Sequence, residues 1–143
     1  MSETMIIDAS NLLLGRMATV VAKKALLGEK IDIVNCENAL ISGKRNMILA
    51  HYRHKKERGT YKHGPFFYSM PDKFVRRTIR GMLPYRTKRG LDAYKRIMCY
   101  IGVPTDFKST SIETIQVADA EKLPILHTIS VGEVCNQLGR SLK

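Results

Sequence analysis

The sequence predicts a single α/β domain in three layers, α/β/α, with a small, mainly parallel sheet and a long basic loop. Two short β-type runs near the N-terminus flank a stretch of helical periodicity, and a third apolar run lies at 97–101. A strand, a helix and a strand joined by short links form a βαβ unit with a right-handed crossover. The 143 residues fit one domain, 1–143, that is long enough to bury its own core.

The first βαβ unit is predicted in the N-terminal quarter. Residues 5–7 form an apolar run typical of a buried strand, and Ser10 and Asn11 are candidates for the N-cap of the following helix. Apolar residues then recur with helical spacing: Leu14, Met17, Ala18, Val21 and Ala25. Gly28 occupies the position of a C-cap glycine, and the branched residues of 31–36 predict the second strand.

The middle of the chain has weaker patterns. Residues 40–43 form a short apolar piece, and the polar stretch 44–55 predicts a helix with a weak apolar face. Residues 56–70 predict a long irregular loop, because glycine and proline interrupt the segment. Loops of this length in compact domains are usually functional or disordered. A short helical pattern around Leu91 precedes the strand predicted at 97–101.

The segment 71–83 predicts an amphipathic helix. Ser69 and Asp72 have the spacing of a capping box, Pro71 suits a first turn, and Pro84 disfavours helical geometry at the residue before it. One helical face carries the apolar residues Val75, Ile79, Met82 and Leu83, and the opposite face carries Lys73, Arg76, Arg77 and Arg80. We expect this helix to pack on the core while it presents four cations in a row.

The C-terminal extension, 105–143, differs in character from the rest of the chain. Residues 112–117 and 125–129 predict short extended segments. Ser130 begins a capping-box pattern that opens a terminal helix, and Gly139 is its predicted C-cap.

The net charge of +11 is concentrated in one part of the chain. Residues 44–96, the basic segment, contain 16 Lys and Arg against three acids, a net charge of +13, whereas all other residues together carry −2. The same segment holds most of the tyrosine, phenylalanine and histidine residues, including His51 and His54. Clustered cations interleaved with aromatic and His side chains are typical of nucleic-acid binding, so we expect RNA contacts here.

Catalytic, metal and cofactor sites are not predicted. Cys36, Cys99 and Cys135 are far apart, with no CxxC pair, and are expected to be free buried thiols. The sequence contains no glycine-rich phosphate loop, HExxH or GxSxG motif. Asp8 and Asp32 lie on predicted strands and are interpreted as structural. An RNA-acting enzyme, a nuclease or a modification enzyme, is the alternative that the missing acid–base and metal groups disfavour.

Membrane association is not predicted either. No apolar stretch approaches the ~18–20 residues that a membrane-spanning helix requires. The N-terminus lacks a basic lead and a long apolar region, so a secretory signal is not expected. These features predict a cytoplasmic protein.

The run Arg-Arg-Thr-Ile-Arg-Gly-Met-Leu-Pro at 76–84 resembles the signature of the large-subunit ribosomal protein thirteen family, an Arg-rich helix that ends in Gly-Met-Leu-Pro. Further segments are similar to the family in the same order: Leu-Gly-Arg-Met-Ala at 14–18, Ile-Val-Asn-Cys at 33–36, Ser-Gly-Lys at 42–44, Gly-Pro-Phe at 64–66 and Arg-Ile-Met-Cys-Tyr-Ile-Gly at 96–102. Val-Gly-Glu-Val at 131–134 resembles the archaeal branch, in which Trp is frequent at the position of Tyr85.

The resemblance implies a structural, non-enzymatic constituent of the large ribosomal subunit that binds folded ribosomal RNA and supports subunit assembly and translation. It also implies a cytoplasmic monomer within the ribosome, with neighbouring large-subunit proteins as partners and without a cofactor, metal or small-molecule substrate. Carried onto this chain, and in agreement with the pattern of charge, it predicts the following RNA-binding residues: Arg45, Arg53, Lys55, Lys56, Arg58, Lys62, His63, Lys73, Arg76, Arg77, Arg80, Tyr85, Arg86, Lys88, Arg89, Lys95 and Arg96. Tyr85, His63 and Phe66 are the candidates for stacking on bases, and packing against the domain is the alternative for Phe66.

Overall fold

The computed structural model describes residues 4–139, so the ends of the predicted domain, 1–3 and 140–143, lie outside the described residues. The strands are β1 (Thr4–Asp8), β2 (Lys30–Val34), β3 (Leu40–Ser42), β4 (Ile97–Cys99) and β5 (Thr128–Ser130). The helices are α1 (Leu14–Leu27), α2 (Arg45–Glu57), α3 (Pro71–Gly81), α4 (Lys88–Lys95) and α5 (Val131–Gln137). None of these helices is long and apolar enough to span a bilayer.

A three-stranded parallel sheet organises the fold. Its strand order is β1-β2-β4, with Ile7 opposite Ile33 in the first pair and Ile33 opposite Cys99 in the second. A separate antiparallel pair joins β3 to β5, with Ile41 opposite Ile129. The predicted α/β class with a small, mainly parallel sheet is therefore confirmed.

The hydrophobic core lies between the parallel sheet and helices α1 and α3. Side chains alternate across a strand, so Ile31 and Ile33 of β2 point to the same face of the sheet. Both belong to the core cluster together with Met17 of α1 and Ile79 of α3, and all four are fully buried. Because α1 and α3 also pack on each other, this apolar contact fixes the position of a helix that carries four Lys and Arg residues.

The residues around the start of α1 differ from the prediction. The N-cap is Leu13, and no side chain caps the helix, so the assignment of Ser10 or Asn11 to that position is wrong. Asp8 instead accepts a 2.9 Å hydrogen bond from the backbone N–H of Ser10, and Asn11 adopts a φ of 58°. These short polar side chains therefore stabilise the turn after β1. Gly28 is the C-cap with a φ of 108°, as predicted.

Helix α3 also departs from the predicted capping and phase. Its N-cap is Met70 and makes no side-chain capping bond, so the capping box of Ser69 and Asp72 is wrong. The helix ends at Gly81, and Met82 beyond it is 42% exposed instead of belonging to the apolar face. Phe74, absent from the predicted face, is buried. The prediction continued the helical phase past the residue where the helix ends.

The predicted extended segments in the second half of the chain are only partly strands. β4 stops at Cys99, two residues before the predicted end. Within 112–117, Glu113 forms an isolated parallel bridge to Ile7, and a 3-10 turn begins at Gln116. Glu113 contacts the free edge of β1, where it donates to the Ile6 carbonyl at 2.8 Å and accepts from the Asp8 N–H at 2.9 Å.

The terminal helix α5 begins as predicted. The Ser130 hydroxyl accepts a 3.2 Å hydrogen bond from the backbone N–H of Glu133, which is the first half of a capping box. At the other end Leu138 is the C-cap residue, and Gly139 follows it with a φ of 103°. The glycine thus occupies the left-handed position just beyond the helix rather than the cap itself.

Two arginines of the basic segment form hydrogen bonds to backbone carbonyl groups of neighbouring elements. The Arg76 guanidinium donates hydrogen bonds to the carbonyl oxygens of Ile97, at 3.1 Å, and Tyr94, at 3.5 Å, and it lies 4.2 Å from the centre of the Tyr94 ring. Arg96 donates to the carbonyl of Ala25 at the end of α1, at 3.2 Å. Arg76 therefore ties α3 to β4 and α4 instead of standing in a row with the other cations of α3.

We predict that Arg76→Ala destabilises the protein by about 1.5–3 kcal/mol, the range for hydrogen bonds to charged groups. The substitution removes the donors to the carbonyl of Ile97, a fully buried residue, and to that of the half-buried Tyr94. Denaturant unfolding measures the loss, and Lys73→Ala, which changes an exposed cation of the same helix, is the matched control. Equal stability of the two variants would contradict the structural role of Arg76.

Asp32 is the one buried charged residue in the range 4–139, at 5% exposure. It lies on the central strand β2, opposite Ile6 and Met98, and its Oδ1 atom has no hydrogen-bond partner among the described residues. Burial raises the pKa of the Asp32 carboxyl above 3.8, although the nearby Lys30 opposes the shift. The ionised carboxylate therefore costs stability.

We predict that Asp32→Asn increases the free energy of unfolding at pH 7 by about 1 kcal/mol, the lower end of the cost of an unsatisfied buried group. An acid whose folded-state pKa is raised loses stability as pH rises from its unfolded value towards the folded one. The benefit of the substitution should thus vanish below about pH 4. Thermal unfolding from pH 3 to pH 8 measures this, and a pH-independent difference would contradict it.

Candidate nucleic-acid interface

The predicted RNA-binding residues lie on α2, α3, α4 and the segments between them. Most are exposed side chains without an acidic partner among the described residues: Arg53, Lys55, Arg58, Lys62, His63, Lys73, Tyr85, Arg86, Lys88, Arg89 and Lys95. Arg76, Arg77, Arg80 and Arg96 are half-buried. Some cations of the basic segment are therefore exposed to solvent, whereas others contact carbonyl oxygens and aromatic rings of the protein.

Helix α2 is held by a cluster of aromatic rings. The helix has no fully buried residue, which agrees with its weak apolar face in the sequence. The Tyr52 ring packs 5.0 Å from the ring of Phe74 on α3 and 5.9 Å from that of Phe67 in the loop. Phe67 and Phe74 are also in contact, at 5.8 Å. The three rings fix α2 and the loop against α3, and so set the spacing between their cations.

A basic cleft lies between the end of α2, the loop and α3. Its cations are Lys55, Arg58 and Arg77, its aromatic residues are Phe66 and Phe67, and its volume is about 260 Å³. The Arg77 guanidinium donates a 2.8 Å hydrogen bond to the Phe66 carbonyl and lies 4.9 Å from the centre of the Phe67 ring. Phe66 itself is 63% exposed. We call this site the α2–α3 cleft.

A tight turn presents the tip of the loop. Thr60 and Gly64 exchange backbone hydrogen bonds of 2.9 and 3.3 Å, and Lys62 and His63 are exposed between them. Gly59 packs so closely that a Cβ there would come within 1.9 Å of the Gly64 carbonyl oxygen. Only glycine fits this approach, and that requirement explains the glycine at position 59.

Tyr85 stands among cations at the turn between α3 and α4. Its ring is 40% exposed, and the guanidinium carbons of Arg80 and Arg86 lie 5.2 and 6.0 Å from its centre. The Thr87 hydroxyl caps α4 by accepting from the Gly90 N–H at 3.2 Å. The ring is therefore flanked by positive charge, an arrangement suited to stacking on a base whose phosphates are neutralised nearby.

Two of the predicted RNA-binding cations also bind α5. The Arg45 guanidinium forms a 2.5 Å ion pair with Glu133, and the Lys56 ammonium donates to the Leu138 carbonyl. These contacts fix both ends of α2 along α5. They join residues more than 80 positions apart in the sequence, so no local pattern could have indicated them.

The potential metal ligands of the described residues do not form a cluster. No group of three His, Cys, Asp or Glu side chains within residues 4–139 could hold a metal ion. His54 lies within 3.2 Å of the Arg58 guanidinium, a neighbour that disfavours a second cation. Asp8 accepts from the Asn35 side chain at 3.1 Å as well as from Ser10, which agrees with its structural interpretation.

Sequence reasoning missed two cations on α1. Arg16 and Lys23 are exposed and have no acidic partner among the described residues, whereas their neighbour Lys24 pairs with Glu29 at 3.9 Å. Both lie outside the basic segment, in the part of the chain whose net charge is −2, so the summed charge of that part did not indicate them. Their i, i+7 spacing on the outer side of an amphipathic helix was the available indication.

Comparisons with known proteins identify the relatives of this chain. Residues 2–106 match the model of a family described as Ribosomal protein L13. A "Large ribosomal subunit protein uL13" of Methanosarcina barkeri is 49% identical over 135 residues, covering 94% of this chain and 96% of the relative. Proteins of the same name from Methanopyrus kandleri and Archaeoglobus fulgidus are 45% and 39% identical, covering 96% and 94% of this chain and 87% and 86% of theirs.

The match runs through most of the chain and includes the Arg-rich helix and its Gly-Met-Leu-Pro end. It confirms the resemblance drawn from these motifs, the archaeal type of the sequence and the prediction of a ribosomal protein rather than an enzyme. This chain belongs to the ribosomal protein L13 family.

Proposed function

We propose that the protein is a constituent of the large ribosomal subunit and binds folded large-subunit ribosomal RNA through its basic segment. The observation that carries this proposal is the α2–α3 cleft, where Lys55, Arg58 and Arg77 line one cavity with exposed Phe66. In this proposal the protein acts in the cytoplasm as a monomer within the ribosome. Its partners are that RNA and neighbouring large-subunit ribosomal proteins.

The charge balance supports RNA as the partner of this surface. A net charge of +13 on residues 44–96 repels itself, and a polyanion relieves that repulsion. Counterions released from the RNA add a favourable free energy for each phosphate that a cation neutralises. Arg guanidinium groups bind pairs of phosphate oxygens as planar forks, whereas Lys ammonium groups act as point charges.

The arrangement of rings and cations supports one mode of RNA binding within this proposal. In the α2–α3 cleft, Lys55, Arg58 and Arg77 would neutralise phosphates on either side of the exposed Phe66 ring. Tyr85, flanked by two guanidinium groups, would stack on an unpaired base. The other exposed cations of the predicted set would contact the RNA backbone around these two points. Arg76 and Arg96, already bonded to carbonyls, would support the surface from behind.

We predict a steep salt dependence for binding to a large-subunit ribosomal RNA transcript. With roughly eight neutralised phosphates, the slope of log K against log salt should be about −6 to −7. Filter binding between 50 and 400 mM KCl measures the slope. A slope near zero would exclude an electrostatic RNA interface.

We predict that the double variant Lys55→Ala/Arg58→Ala weakens RNA binding and reduces the magnitude of the salt slope by about two, one for each lost phosphate contact. Thermal stability should stay unchanged, because both side chains are exposed. The matched control is Lys108→Ala/Lys122→Ala, which removes the same charge from exposed positions outside the basic segment. Equal affinities of the two double variants would refute the α2–α3 cleft as a contact.

A further inference from the structure

An apolar groove lies on the outer side of α1, where this helix meets the end of α3 and the start of α4. Leu26, Leu27 and Met82 contribute its apolar wall, and Lys23 and Arg89 stand in its lining as the charged groups. The groove, which we call the α1–α4 groove, has a volume of about 510 Å³. This volume falls in the range of small-molecule sites in proteins.

The wall of the α1–α4 groove is unusually exposed for apolar side chains. Leu27 is 71% exposed and Met82 is 42% exposed, although both lie beside a well-packed core. The Thr19 hydroxyl donates to the Gly15 carbonyl at 2.9 Å and lies 3.6 Å from the Met82 sulfur, so the Met82 side chain lies against α1. A thioether is polarisable and makes favourable contacts with flat aromatic rings. The wall therefore offers a surface on which a ring can rest.

The charges in the groove are all of one sign. Lys23 lies on the α1 side and Arg89 on the α4 side, and no carboxylate is among the lining residues. Neither cation has an ion-pair partner in the part of the chain that the structure describes. Two free cations beside an apolar wall suit a ligand that combines a flat apolar ring with negative charge.

We propose that the α1–α4 groove receives a single unstacked nucleotide of the ribosomal RNA, and this inference rests on the proposed function. The base would lie against Leu27 and Met82, and Lys23 and Arg89 would bind the flanking phosphates. The groove is continuous with the basic segment. Met82 follows Arg80 by two residues, and Arg89 is in the first turn of α4.

A nucleotide fits these observations better than a protein segment does. An apolar peptide would leave Lys23 and Arg89 without partners as it covered them, which is costly for charged groups. A nucleotide within an RNA chain satisfies both, because its nucleoside lies between two phosphates. The proposal also gives a role to Lys23, which the basic segment does not include.

The test compares Leu27→Glu with Ile125→Glu, each of which adds one carboxylate at an apolar residue exposed by 71% and 65% respectively. The probe is a transcript of the large-subunit ribosomal RNA from the same organism, in filter binding at a fixed salt concentration. We expect Leu27→Glu to bind about tenfold more weakly than Ile125→Glu, in the range found for the loss of one stacked base. Ultraviolet cross-linking of the wild-type protein should place a nucleotide adduct on a peptide that contains Leu27 or Met82.

A second variant keeps the test independent of folding. Lys23→Ala should reduce the magnitude of the salt slope by about one, while Lys122→Ala, an exposed control outside the groove, should leave it unchanged. Equal affinities of the two Glu variants together with equal slopes of the two Ala variants would overturn the proposal. So would a Leu27→Glu protein that binds the transcript normally but fails to enter subunits reconstituted with the other ribosomal proteins, because the groove would then hold a protein. A wild-type protein without salt-dependent RNA binding would instead refute the proposed function itself.

Discussion

Mutual repulsion among the cations of residues 44–96 is the constraint around which this fold is built. A net charge of +13 on 53 consecutive residues opposes any compact arrangement of that segment. The segment is compact nevertheless, because Phe74, Val75 and Ile79 fix α3 to the core that α1 and the parallel sheet provide. Most residues of the hydrophobic core thus come from the nearly neutral remainder of the chain, and the basic segment contributes only a few.

Several cations of the basic segment also stabilise its position on the core. Arg76 and Arg96 place their guanidinium groups on carbonyl oxygens at the ends of neighbouring elements, where the partial negative charge of the backbone attracts them. Arg77 holds the loop through the Phe66 carbonyl, and the ring of Phe67 lies against its guanidinium. Some of the positive charge therefore stabilises the fold, and the exposed remainder is what the proposed RNA interface would use. A substitution at a cation tests binding most directly where the side chain is exposed and makes no hydrogen bond to the protein's own backbone.

Elements with a clear local pattern were predicted correctly from the sequence. The predicted ends of helices α1 and α3 were wrong, because contacts with other residues determine where these helices begin and end. The βαβ unit and the helix opened by Ser130 have local causes: apolar spacing, a C-cap glycine and a capping hydroxyl. The N-cap of α1 was misplaced because Asp8 captures the Ser10 amide in a turn first. The phase of α3 was extended to Met82 because nothing local marks Gly81 as its last residue. These errors affect single residues at element ends and leave the topology correct.

The amino-acid sequence by itself determined the fold class, the family and the location of the charge, because each of these is written in local composition and spacing. The tertiary structure alone decided which cations are free. Arg45 with Glu133, Arg76 with the Ile97 carbonyl and Lys56 with the Leu138 carbonyl are bonded across distances in sequence that no periodicity spans. It also placed Lys23 beside Arg89, since the packing of α1 on α4 brings a helix of the neutral part to the edge of the basic segment. The net charge of +11 favours a polyanion as a partner, and the folded surface decides which cations are exposed to one.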